Sequence, residues 1–448
     1  MARELALKVL VDVLKNGAYS NIELNNCLGS NDLKSCDRAF ITEIVYGVLK
    51  YKERIDYVIG KFSKIKLKKI SDWILNILRI GIYQLMFMDR VPVSAAVNES
   101  VKLAKRYGHA YSAKFVNGVL RSVAGGIDNI VYPDEKNEPL EYLSVWYSYP
   151  KWLVKKCLED FGYEFTKDFL ESSNKKPNFC VRVNLTKTTV DDLVKLLKKE
   201  GIIAQKSKIY NRGLIIQNPG NITNNKLYKE GYFTIQDESS MLVANILNPS
   251  RGDMVLDVCA APGGKTTHIA ELMENTGCVY SRDLYEHKVL LIEKAAERLG
   301  LSNIKAGVFD AQKLDVSMCD KMDIVLVDAP CTGLGIIRRK PDIKWKKEIC
   351  DVGDISNTQY KILKNASKYV KNGGHLVYST CTIEREENIY IINKFLKEHT
   401  NFVPVDITDR VPKDFMCLTA KEGYIELYPN VHKIDGFFIA KMKKISRD

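Results

Sequence analysis

A chain of 448 residues with 46% apolar residues has material for two to four globular domains. Its 67 lysines and arginines against 55 acidic residues leave a charge of +12, which favours a polyanionic partner without requiring one. No apolar stretch approaches the roughly 20 residues of a bilayer span, the opening Met1-Ala2-Arg3-Glu4-Leu5-Ala6-Leu7-Lys8 has no signal-peptide core, and eleven cysteines include no Cys-x-x-Cys pair. A cytoplasmic protein without membrane attachment, disulfide framework or metal is expected.

The first 130 residues read as helices and carry 20 basic against 12 acidic residues. Over 37–59, Phe40, Ile41, Ile44, Val45, Val48 and Leu49 recur at helical spacing. Ser71 and Asp72 are placed to cap a helix carrying Ile74, Ile77, Leu78 and Ile82; Pro92 opens another, with Val93, Ala96, Val97 and Val101, and Phe115, Val119 and Leu120 mark one more. Lys61, Lys64, Lys66, Lys68 and Lys69 read either as a solvated loop or as an RNA contact. A break is expected at Gly125-Gly126, and 131–149 reads as a linker. Residues 150–230 read as a small α+β module. Pro150-Lys151-Trp152 opens a helix, 179–185 alternates like a strand, Thr188-Thr189-Val190-Asp191 caps a helix through Leu193, Leu196 and Leu197, and 214–216 is another strand. From 231 to 448, strand candidates at 254–257, 279–283, 304–309, 324–328, 376–379 and 437–440 alternate with helices, the pattern of a doubly wound α/β sheet.

Two apolar runs of this last region end in cysteines: Ile324-Val325-Leu326-Val327-Asp328-Ala329-Pro330-Cys331 and His375-Leu376-Val377-Tyr378-Ser379-Thr380-Cys381. Chemistry in open parallel sheets gathers at the carboxyl ends of strands, and neighbouring strands lie about 4.8 Å apart, so both thiols can converge on one small substrate. Asp257-Val258-Cys259-Ala260-Ala261-Pro262-Gly263-Gly264-Lys265 is a strand end, a glycine turn and a helix start, with glycines that let the backbone approach a ligand. It is neither a Walker loop nor a dinucleotide fingerprint. Asp283, ending the second strand, is placed to accept hydrogen bonds from ribose hydroxyls, and Asp310, ending the third, to meet an adenine amino group. Singly, each aspartate reads as a turn or helix cap; in order, at three successive strand ends, they point to a nucleoside cofactor. A cysteine ending a core strand reads as filler when alone, a preference reversed by the glycine turn and a second strand-end cysteine. Arg282 stands beside Asp283, where a salt bridge would compete for the ribose carboxylate.

Asp257 to Lys265, Asp328 to Cys331 and Ser379 to Cys381 resemble the motifs of RNA cytosine-C5 methyltransferases, which use S-adenosylmethionine on a Rossmann-like sheet with a final antiparallel strand. Asp37-Arg38-Ala39-Phe40 and Phe115-Val116-Asn117-Gly118-Val119-Leu120-Arg121 resemble a NusB-like RNA-binding domain, and Arg182-Val183-Asn184 resembles the small RRM-like module preceding the catalytic domain. Gln236-Asp237-Glu238-Ser239-Ser240, Ile337-Arg338-Arg339-Lys340-Pro341-Asp342 and Asp435-Gly436-Phe437-Phe438 also match. The resemblance is to the branch of the family acting on bacterial 16S ribosomal RNA.

That resemblance implies an all-α NusB-like domain over 1–130, the small module over 150–230 and a Rossmann-like catalytic domain over 231–448. It implies that S-adenosylmethionine is held by Cys259, Ala260, Ala261, Pro262, Gly263, Gly264, Lys265, Asp283, Asp310 and Asp328. Cys381 would be the nucleophile that adds to cytosine carbon 6. Cys331 would assist release, Asp328 would hold the cytosine amino edge, and Lys265 would lie near cofactor and base. The partner implied is 16S rRNA before full assembly, and a monomer is expected. Thr332-Gly333-Leu334-Gly335 and Thr382 stand where serine-bearing versions are frequent. Other readings are a methyltransferase for a tRNA or 23S rRNA cytidine, a non-catalytic RNA-binding scaffold, a nucleotide-dependent oxidoreductase, and a regulatory Cys331–Cys381 disulfide.

Overall fold

The computed structural model describes residues 1–415 and 418–446. By contacts the chain divides into two units: Met1–Lys175 together with Ile337–Ile349, and the remainder.

The first unit is helical. Ala2–Leu14, Ser20–Gly29, Ser35–Phe62, Asp72–Phe87, Val93–Tyr107 and Ala110–Gly126 surround a core that includes Leu7, Leu10, Ile41, Ile44, Val48, Ile77 and Leu120. The expected apolar stripe of the third helix is buried, save for half-exposed Phe40. Gly47 allows that helix to meet the fourth, since a Cβ there would lie 2.0 Å from the Tyr83 ring. Arg79 grips the buried Asp56 through two bonds of 2.7 Å. Ser71 does occupy the N-cap of Asp72–Phe87, but its hydroxyl makes no capping bond. Gly125 and Gly126 do not break the chain; they complete the last turn of their helix. Nor is 131–149 a bare linker, because Pro139–Tyr147 is a helix with Leu143 and Tyr147 buried. Lys151–Phe161 and Tyr163–Ser172 pack with this unit, so the contact boundary falls near 175 rather than at 150. Ser144 Oγ donating to the Tyr149 carbonyl at 2.6 Å and Asn174 Nδ2 donating to that of Tyr147 at 2.6 Å fasten them there.

The second unit opens with four antiparallel strands, β1 (Phe179–Val183), β2 (Ile203–Lys206), β3 (Gly213–Gln217) and β4 (Phe233–Ile235), in the order β2-β3-β1-β4. With helices Val190–Lys199 and Lys226–Lys229 in the crossings, this is a ferredoxin-like arrangement. Thr189 caps the first of these helices, its Oγ1 accepting the Asp192 amide at 3.1 Å. Arg182 on β1 is fully buried. Its guanidinium donates to Glu271 at 3.0 and 2.8 Å, to the Gly264 carbonyl at 2.8 Å and to Thr267 Oγ1 at 3.1 Å.

The main sheet contains β5 (Met254–Asp257), β6 (Cys278–Asp283), β7 (Ile304–Val308), β8 (Met322–Asp328), β9 (Val370–Thr380), β10 (Phe402–Pro404), β11 (Tyr424–Leu427) and β12 (Phe437–Lys444). Its order is β10-β12-β9-β8-β5-β6-β7, with β11 also on β12; β5 to β9 run parallel and β12 is antiparallel to β9. Alternate residues feed opposite faces: Leu256, Val325, Val327 and Leu376 one core, Val255, Ile324, Leu326 and Val377 the other. Burial on both faces explains the near-continuous apolar runs. Among the described residues no helix is long and apolar enough to cross a membrane, and no group of His, Cys, Asp or Glu is placed to hold a metal ion.

Candidate active site

Strand ends β5 to β9 carry the site. Asp257, at the end of β5, is fully buried and accepts the Thr266 hydroxyl at 2.8 Å and the Cys259 amide at 3.4 Å. Burial pushes its carboxyl up to about 7, against the lowering effect of the Thr266 bond. Asp257 therefore braces the turn from within. Gly263, at φ +100°, begins helix Gly264–Leu272, and a Cβ there would come 3.2 Å from the Ile292 backbone. Helix packing and backbone conformation thus demand this glycine, whereas the sequence reading assigned it to ligand approach.

Asp283 Oδ2 accepts the Ala261 amide at 3.2 Å, tying β6 to the glycine turn, and Lys288 Nζ lies 3.6 Å from Oδ1. The competition expected from Arg282 does not occur. Strand alternation sends Arg282 to the other face, where it meets Asp315 at 2.6 Å and covers the Phe309 ring at 4.4 Å. Asp310 Oδ1 accepts the Gln312 amide at 3.0 Å, a turn contact just past β7.

Asp328 and Ser379 are register partners on β8 and β9. Asp328 accepts Ser379 Oγ at 2.8 Å through one oxygen and Lys265 Nζ at 2.7 Å through the other. The ammonium lies 5.1 Å from the Phe437 ring centroid. Burial alone would lower the Lys265 pKa; the Asp328 carboxylate, helped by Cys381 and Asp257, more than offsets this and raises it. Lys265 is therefore a protonated ammonium at neutral pH.

The Cys331 and Cys381 sulfurs lie 3.2 Å apart in a hydrogen bond and are not joined as a disulfide, so the disulfide reading does not describe this state. The hydrogen bond with Cys381 and then burial push the Cys331 thiol well above its ordinary value. The charge of Cys381 is felt by Lys265, whose pKa it helps to raise.

Both thiol loops are fastened by one turn that sequence reasoning missed. The Glu387 carboxylate, fully buried, accepts the Thr332 amide at 2.9 Å, the Thr332 hydroxyl at 2.5 Å and the Gln359 amide group at 2.9 Å. Gln359 also donates to the Pro330 carbonyl at 2.9 Å. Asn388 accepts Thr380 Oγ1 at 2.6 Å and donates to the Thr382 carbonyl at 3.1 Å. Thr332 and Thr382, each following a cysteine, join their hydroxyls at 2.8 Å. Gly335 and Gly436 cross so closely that a Cβ on Gly335 would lie 2.1 Å from the Gly436 carbonyl oxygen. The only sequence signal for this clamp was the polar run 384–388 directly after a candidate nucleophile.

Family models match along the chain: the NusB family over residues 1–125, a ferredoxin-like domain of RsmF/B-like methyltransferases over 149–223, and the 16S rRNA methyltransferase RsmB/F over 244–443. The probable ribosomal RNA small subunit methyltransferase B of Bacillus subtilis is 39% identical, covering 99% of this chain and 98% of its own length. Its namesake in Synechocystis is 34% identical, covering 99% of each. The crystal structure of NSun6 from Pyrococcus horikoshii with SFG aligns at TM-score 0.60 and 25% identity, over 67% of this chain and all of that one. A methyltransferase homolog from Pyrococcus horikoshii aligns at TM-score 0.58 and 30% identity, over 68% of this chain and 99% of that one. With its NusB-like helical domain, ferredoxin-like module and Rossmann-like sheet, the chain belongs to the ribosomal RNA small subunit methyltransferase B family, whose cofactor is S-adenosylmethionine.

Proposed function

We propose that this chain methylates carbon 5 of one cytidine in 16S ribosomal RNA, through a transient bond between Cys381 Sγ and cytosine carbon 6. The observation that carries the reading is the 3.2 Å approach of two thiols from adjacent strand ends, beside the Lys265–Asp328 pair. The donor set fits S-adenosylmethionine. Asp283, 8% exposed at the end of β6, offers carboxylate oxygens suited to ribose hydroxyls. The turn from Cys259 to Gly264 leads into helix Gly264–Leu272, whose first amides face an incoming polar group. Bound there, the cofactor supplies a methyl group made electrophilic by its sulfonium.

Carbon 5 of cytosine is a poor nucleophile, and the protein's task is to change that. Addition of the Cys381 thiolate to carbon 6 forms the Sγ–C6 bond and moves the ring π electrons to carbon 5, which can then take the methyl. Asp328 accepts from the exocyclic amino group; each oxygen retains lone-pair capacity beyond its bond to Lys265 or Ser379. Lys265 balances charge at the site, and the Glu387–Asn388 turn holds both sulfurs in place. Once Cys381 is bonded to carbon, its hydrogen bond and charge no longer raise the Cys331 pKa, and only burial and Glu387 still do. Cys331 then gives its proton to solvent and takes the one on carbon 5, while C5=C6 re-forms and the Sγ–C6 bond breaks. A cytosolic, reducing setting accords with two thiols at the centre; the RNA is proposed to be methylated before full subunit assembly.

Mapping bisulfite-resistant cytidines in ribosomal RNA, with and without the active chain, tests the substrate. One resistant cytidine in 16S rRNA, lost with the chain, is expected. A chain-dependent signal confined to tRNA or 23S rRNA contradicts the assignment.

A further inference from the structure

The segment Ile337–Ile349 packs as part of the helical unit. Lys344, 1% exposed, donates to the carbonyls of Lys50 at 2.8 Å and Ser148 at 2.7 Å. Trp345 Nε1 donates to the Leu49 carbonyl at 2.6 Å, and Ser20 Oγ donates to Asp342 at 2.5 Å. These bonds seat the segment firmly, and its outer side completes a cleft of about 500 Å³ against the first and third helices of that unit.

The cleft is lined by Lys15, Tyr19, Lys52, Trp345, Lys346 and Lys347, among others. Ammonium groups and rings interleave: Lys52 Nζ is 4.4 Å from the Trp345 centroid and Lys346 Nζ is 4.2 Å from that of Tyr19. Asp342 is the one carboxylate in the lining, and it is engaged by Ser20 and by Lys346 at 3.2 Å. Beside the cleft, Asp56 lies 3.3 Å from Lys52 but is gripped by Arg79, and Asp72 lies 3.2 Å from Lys15. Cations outnumber anions, so the site suits an anion. Tyr19 remains 59% exposed, an apolar ring offered at the rim of a basic cleft. Basic side chains beside an accessible ring are what a single nucleic-acid strand needs: charge for its phosphates and a face for its bases. The volume lies within the range of binding pockets.

We propose that this cleft binds an unpaired stretch of the RNA substrate distinct from the methylated cytidine, a phosphate among the four lysines and a base against Tyr19. The proposal rests on the reading of the chain as an RNA methyltransferase. An isolated NusB-like domain, lacking residues 337–349, would lack one wall of the cleft.

The test is fluorescence anisotropy of the full chain with a short fluorescein-labelled oligouridylate across a salt series. Lys15→Gln/Lys347→Gln is expected to weaken binding about tenfold at low salt and to flatten the log–log salt slope by about 1.4, two phosphate contacts on a single strand. Tyr19→Ala is expected to weaken binding about fivefold or more without changing the slope, and Tyr19→Phe to restore it. Melting curves matching wild type establish that each variant is folded. Wild-type affinity and slope in the lysine variant, or no oligouridylate binding by the wild type, overturn the proposal; wild-type affinity in Tyr19→Ala overturns the base contact. Failure of the methyltransferase reading would show separately, as absence of methyl transfer to ribosomal RNA by the wild-type chain.

Discussion

Replacing Cys381 by serine is expected to lower methyl transfer by on the order of 10,000-fold or more while RNA binding survives. The substitution changes one atom. The clamp through Thr332, Thr382, Glu387 and Asn388 stays in place, as does the Lys265–Asp328 pair. What is lost is a group able to become an anion near neutral pH, since a serine hydroxyl has no comparable ionised fraction. Cys331→Ala should behave differently. Addition at carbon 6 still occurs, but the group that clears the carbon-5 proton is missing, so a protein–RNA adduct should accumulate and survive a denaturing gel. Single-turnover assays and gel shifts on both variants check the pair. Undiminished turnover in Cys381→Ser would sink the nucleophile assignment; a Cys331→Ala variant with near-normal activity and no adduct would remove the release role.

Arg182→Ala should destabilise the second unit by about 3–5 kcal/mol, the usual cost of removing one partner from a buried ion pair. Arg182 and Glu271 are 0% and 3% exposed, so the deletion strands a carboxylate with no water to solvate it. The same guanidinium holds the Gly264 carbonyl and Thr267, at the start of the helix that follows the proposed cofactor loop. Affinity for S-adenosylmethionine should therefore fall along with stability. Urea unfolding followed by circular dichroism measures the first effect and calorimetry the second. Arg182→Met/Glu271→Met, which removes both charges and keeps volume, should recover most of the stability. A loss below about 1 kcal/mol in Arg182→Ala would contradict this account of the contact, placing it with exposed pairs.

The parallel core strands were legible because burial on both faces leaves an uninterrupted apolar run; β5 has the expected limits, and β6 to β8 differ by one or two residues. β9 is longer than its apolar run, since it begins at Val370, before Gly373-Gly374. The unforeseen strands β2, β4, β10 and β11 are three or four residues long and depend on their neighbours for pairing. Strand-end aspartates and cysteines announced themselves by position. Their supports did not: Glu387 reaches Thr332 across 55 residues, and Arg182 reaches Glu271 across 89. No local periodicity encodes such partners. The motif ending at Asp342 was visible as a motif, yet its membership of the helical unit follows from Lys344 and Trp345 finding backbone carbonyls there.

The most direct test of the central claim uses ribosomal RNA carrying 5-fluorocytidine, whose carbon–fluorine bond cannot yield the proton that release requires. Incubated with the wild-type chain and S-adenosylmethionine, it should trap the covalent state, and mass spectrometry of the digested adduct should find the modified nucleotide on the peptide containing Cys381. A nucleotide on the Cys331 peptide instead, or no adduct from a chain that methylates unfluorinated RNA, would contradict the account.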